Sequence, residues 1–119
     1  MDTSKEYIDM CHKAVEVQES RKNISPKDYV FCGECYKETW LCQIGHKRIK
    51  VWLPRQDQLQ DMVKEDTDYH TLMKFDTWVF TLARVYDDMI IEKFSMEQLW
   101  LAFVMYEKYG KQWDGSDWI

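Results

Sequence analysis

The sequence predicts an α+β domain, with three to four helices packed on a small antiparallel β-meander. Apolar residues recur at three- and four-residue steps near both ends of the chain, which is the helical period. Between them, residues 28–53 are rich in β-branched and aromatic residues and alternate in places, which is the period of strands. With 119 residues, one domain over 1–119 is expected: a helix within 1–22, a cysteine-containing meander over 28–53, and a helical part over 54–119 ending in a Trp-rich tail.

The first helix is expected over 4–21, with Tyr7, Cys11 or Met10, Ala14 or Val15, and Gln18 on one face. Ser4 or Thr3 can cap it, and "NISP" ends it, because the residue before Pro26 resists the α region. "DYVF", "ETWLCQI" and "RIKVWL" read as short strands separated by the glycine-containing "CGEC" and "GHK". In the last of them Ile49, Val51 and Leu53 alternate against Lys50 and Trp52, the pattern of a half-buried strand.

Pro54 opens the next helix, "PRQDQLQDMVKE", with Leu59, Met62 and Val63 inward; proline suits a first turn because its missing N–H would be unpaired there. "DTDYH" reads as a polar connection with His70 as a surface residue. Residues 71–91 then form a longer helix, with Leu72, Phe75, Val79, Leu82, Tyr86 and Met89 on its inner face. "SMEQ" places Ser95 and Gln98 as a capping box for the last helix. Its run "WLAFVM" is apolar all round, which predicts a central position, and Gly110 stops it. In the tail, Trp113 and Trp118 flank the turn dipeptide Asp114-Gly115 and are expected to fold back over the core.

An aromatic content of 15% excludes disorder. No apolar run is long enough to span a bilayer, and the polar start lacks a signal-peptide core, so a cytoplasmic location without membrane contact is expected. The net charge is −5 and is unevenly placed. Residues 1–36 carry five basic and seven acidic groups, residues 37–55 five and one, and residues 56–119 six and thirteen. The basic segment overlaps the one cluster with chemical content, Cys32-x2-Cys35-x6-Cys42-x3-His46.

Three Cys and one His form a standard structural zinc set, and Gly33 lets the Cys32–Cys35 knuckle turn sharply. The Cys-x6-Cys-x3-His run resembles the second half of the CCCH zinc fingers that bind RNA; those fingers have a longer first interval than the one here. Two competing readings stay open. Reduced Cys is a small hydrophobe that packs well in cores, so Cys42 can be a core residue and His46 a solvated turn residue. "FCGEC" is similar to a thioredoxin active-site loop, which implies redox chemistry at Cys32 and Cys35, but the nearly all-helical chain beyond Pro54 lacks the strands which that fold needs. Cys11 falls on the apolar stripe of the first helix and is expected in the core.

No phosphate-binding glycine loop or catalytic sequence motif occurs. Asp87, Asp88 and Glu92 read as a solvated acidic face. Lys47, Arg48, Lys50 and Arg55, with Trp52 interleaved, form a candidate phosphate-contacting patch with a stacking ring. Trp52 can equally pack beneath a helix.

Two blocks, "VWLPRQDQLQDM" and "SMEQLWLAFVMYEKYGKQWDGSDWI", are similar to small uncharacterised proteins of bacteria and their phages. The resemblance implies such an origin and carries no activity and no site residues.

The expectation is a non-enzymatic accessory or adaptor protein acting by protein–protein contact. Zinc is its one candidate cofactor, held structurally by Cys32, Cys35, Cys42 and His46, because four protein ligands leave no open position. The alternatives are a small nucleic-acid-binding protein using Lys47, Arg48, Lys50, Trp52 and Arg55, and a thiol-redox protein using Cys32 and Cys35.

Overall fold

A computed structural model describes residues 1–21, 28–32, 37–39, 50–85 and 92–119. The α+β class holds. The described residues contain α1 (Lys5–Lys13), α2 (Val15–Ser20), β1 (Tyr29–Cys32), β2 (Lys37–Thr39), β3 (Lys50–Leu53), α3 (Gln56–Met62), α4 (Asp68–Val85) and α5 (Met96–Tyr109). They fall into two compact units, 1–55 with 113–119, and 56–112.

In the first unit, Ser4 caps α1 by accepting from Tyr7 N at 3.2 Å. Tyr7, Met10, Cys11, Ala14 and Val17 are buried and make the inner stripe. The expected single helix is broken at Ala14 (φ −81°, ψ 68°). The apolar period continues through the break in phase, and alanine is the best helix former, so neither periodicity nor propensity marks it. Val15, expected as an alternative inner residue, faces solvent.

The sheet is antiparallel throughout, in the order β2-β1-β3. Val30 pairs with Thr39 on one side and with Trp52 on the other. Its connectivity corrects the sequential meander: β3 returns to the free edge of β1, not to β2. Both faces of β3 are buried, with Val51, Trp52 and Leu53 each nearly inaccessible, so the half-buried expectation is corrected as well. The Tyr7 hydroxyl donates to Pro54 O at 2.6 Å and ties α1 to the end of β3.

The tail folds back onto α1, as expected. Trp113 and Trp118 form an antiparallel bridge with ring centroids 5.1 Å apart. Trp118 Nε1 donates to Met10 O and Trp113 Nε1 to Glu6 Oε1, each at 3.0 Å. Gly115 turns the tail at φ 107°, a conformation that favours glycine.

In the second unit, α5 is the buried centre, with Glu97 through Met105 all inaccessible or nearly so. Its capping box at Ser95 and Gln98 is complete, and Gly110 ends it in the left-handed region at φ 64°. Against it lie Leu59 and Val63, from α3 and the turn after it, and Phe75 from α4. Phe75 stacks on Trp100 at 3.8 Å and meets Phe103 edge-on at 5.6 Å; Trp78 lies 5.4 Å from Phe103. The helix expected from residue 71 begins instead at Asp68, because Thr67 caps it by accepting from His70 N at 3.1 Å. Residues 86–91, expected to extend this helix and including Asp87 and Asp88, lie outside the described residues.

Candidate functional site

Helix α4 carries apolar side chains on two faces. Phe75 is buried inward. Outward, Tyr69, Leu72, Met73 and Phe80 are 67%, 57%, 49% and 60% exposed. Positions 69, 72, 73, 76 and 80 follow i, i+3, i+4, i+7 and i+11, so Tyr69, Leu72, Met73 and Phe80 share one side of the helix with Asp76, which stands between Met73 and Phe80. The stripe runs about 16 Å at 1.5 Å per residue. Single exposed apolar residues are ordinary on a soluble surface, whereas a cluster such as Tyr69, Leu72 and Met73 on one side of a helix is typical of a contact surface.

Lys74, on a neighbouring position, is committed within the unit. It bonds Glu107 and Glu65 at 2.8 Å each. The Glu107 bond, then the Glu65 bond, push its ammonium well above the ordinary lysine range. Asp68 and Asp76 are acidic groups on this helix. Residues 56–112 as a whole carry six basic and eleven acidic groups, a formal charge of −5.

Leu72 also lines a cleft of about 400 Å³ inside this unit, together with Asp57, Gln60, Asp61, Lys64, Asp68, Thr71 and Trp100. Three carboxylates and one ammonium leave a formal surplus of two negative charges there. Trp100 is 1% exposed, and its indole Nε1 has no hydrogen-bond partner among the described residues. Thr71 anchors the floor by accepting from Glu65 N at 2.9 Å.

The residues singled out from sequence fare differently. Of the zinc set, Cys32 is fully buried at the end of β1, paired with Lys37 and Lys50. Cys35, Cys42 and His46 lie outside the described residues. Among the described residues, no group of three His, Cys, Asp or Glu is placed to hold a metal. Cys32 closes β1, and Cys35, its partner in the thioredoxin-type reading, lies outside the described residues.

Of the basic patch, Lys47, Arg48 and the Lys50 side chain lie outside the described set. Trp52 is 2% exposed, which corrects its reading as a stacking ring. Gln18 bonds its backbone and the Arg21 guanidinium lies 5.3 Å from its ring centroid. Arg55 faces Asp28 at 3.9 Å and Arg21 bonds the same carboxylate at 2.7 Å, so two arginines are drawn to one buried acid. Cys11 is fully buried as expected, and burial raises its pKa far above the ordinary thiol range.

The outer stripe of α4 was missed because Leu72 was assigned to the inner face. Tyr69, Met73 and Phe80, at i, i+4 and i+11, were the signal for a second stripe. No helix among the described residues is long and apolar enough to cross a membrane. No protein-family model, curated protein or solved structure matches the chain.

Proposed function

We propose that this chain is a non-enzymatic accessory protein that docks another protein through the outer face of α4. The observation that carries the reading is the exposed stripe Tyr69, Leu72 and Met73, extended by Phe80. Tyr and Met suit such a surface. Tyr brings a large area with few rotors, and Met adapts its shape to a partner. The stripe stands on a helix fixed from behind by the Phe75–Trp100 stack and from the side by Lys74, so it is preorganised for contact.

The test is selection of a displayed random library of helical peptides on the immobilised full chain. Wild type should enrich peptides that share one apolar spacing. The variant Y69S/L72S/M73S should enrich none of them. Equal enrichment on both proteins, or no enrichment on wild type, overturns the reading.

A further inference from the structure

We infer that the partner presents a basic amphipathic helix, whose apolar side covers the α4 stripe and one of whose Arg or Lys side chains enters the cleft beside Leu72. This rests on the docking reading above and adds the chemistry of the partner.

Leu72 joins the two features, being exposed on the stripe and a wall of the cleft. The stripe covers about three helical turns, so it matches a partner helix of the same length. Helix-in-groove recognition places apolar anchors at helical spacing. The cleft brings the exposed Leu72 together with acidic residues: Leu72 suits the aliphatic stem of a long basic side chain, and Asp61 and Asp68 suit its charged end. Among the described residues that line the cleft, Lys64 is the single opposing charge, and Lys74 is already held by Glu65 and Glu107.

Charge decides among occupants. A second copy of this chain would set two units of −5 face to face, and like charges across an interface are disfavoured. An anionic lipid surface is disfavoured for the same reason. A basic helix is attracted from a distance and then seated by the stripe.

The probe is a synthetic Leu/Arg amphipathic helix, titrated into the ¹⁵N-labelled full chain. Three controls accompany it: the Leu/Glu analogue, a scrambled Leu/Arg peptide of the same composition, and vesicles with anionic headgroups. The inference expects saturable binding of the ordered Leu/Arg peptide alone, with amide shifts centred on Tyr69, Leu72, Met73, Asp61 and Asp68. D61N/D68N should weaken it by about tenfold or more while leaving the protein's own spectrum in place, since charged pairs at such sites give losses of that order. Equal binding of the Leu/Glu peptide overturns the basic-partner inference and leaves docking intact. Concentration-dependent self-association through the stripe, without peptide binding, overturns both readings and makes a second copy the occupant. Binding of the scrambled peptide equal to the ordered one overturns the seating on α4, and vesicle binding in place of peptide binding overturns a protein partner. No binding of any probe, with the chain monomeric, overturns both readings.

Discussion

Gln18 completes the outer edge of β3 at Trp52. Its Nε2 donates to Trp52 O at 2.8 Å and its Oε1 accepts from Trp52 N at 2.9 Å. One side-chain amide thus does locally what a further strand would do, and covers an edge that would otherwise invite pairing with another chain. Because Trp52 is buried, Gln18→Ala strands a backbone donor and an acceptor. The expected loss is roughly 1–3 kcal/mol, the usual penalty for a buried polar group left unpaired. Gln18→Glu keeps an acceptor for Trp52 N but turns a carboxylate oxygen toward Trp52 O, an acceptor against an acceptor, and should lose at least as much. Urea unfolding of the three proteins checks the order, and an unchanged midpoint for Gln18→Ala would remove the edge-closing role.

Asp28 is 1% exposed and holds Arg21 on one oxygen, with Arg55 near the other. Removing the acid takes away the carboxylate that the two arginines share. Asp28→Ala should cost about 3 kcal/mol, the lower end of what breaking a buried ion pair costs, because both arginines are about a third exposed and recover some hydration. Chemical denaturation measures it. A loss similar to that of an ordinary surface substitution would show the cluster to be incidental.

These two relationships explain why the sequence misled at Trp52. Alternation with Val51 and Leu53 assigned it to the far face of β3, and nothing local revealed that Arg21 lies over its ring while Gln18 closes the strand edge beside it. Long-range contacts leave no periodic trace. Local chemistry, by contrast, was readable. Ser95, Gln98 and Gly110 fixed both ends of α5, and Asp114-Gly115 fixed the tail turn, since capping and turn geometry depend on a few adjacent residues. On α4 the helical character was legible but not which stripe faces inward, because the helix is apolar on two sides.

The tail turn should respond to acid. The Asp114 carboxylate accepts from the backbone N–H of Asp117 at 2.7 Å and of Ser116 at 2.8 Å, and these bonds, Asp117 first, lower its pKa below the ordinary value. A depressed carboxyl contributes stability that is complete above its unfolded pKa, near 3.9, and is lost as pH falls through the lower folded value. The paired-indole signal of Trp113 and Trp118 should therefore hold at pH 5 and fade below about pH 4. In Asp114→Asn, which keeps an acceptor that does not titrate, this step should vanish. Its persistence there would assign the transition to another group.

Cys11 is fully buried and its thiol pKa is raised by burial far beyond the ordinary range, so almost no thiolate exists at neutral pH. In the folded chain it should resist thiol reagents until global unfolding, and mass mapping of labelled peptides in rising urea checks this. Cys11→Ser, which buries a hydroxyl in an apolar stripe, should lose about 1–3 kcal/mol, and Cys11→Ala less. Rapid labelling of Cys11 under native conditions would contradict its place in the core.

The most direct test of the account is the unfolding free energy of Y69S/L72S/M73S beside wild type, in the same preparations used for peptide selection. A contact surface can lose its apolar groups without harm to the fold. The expected result is a change within about 1 kcal/mol, as for exposed positions, together with complete loss of peptide enrichment. A loss of several kcal/mol, the signature of emptied core, would contradict the claim that this face of α4 is kept for a partner.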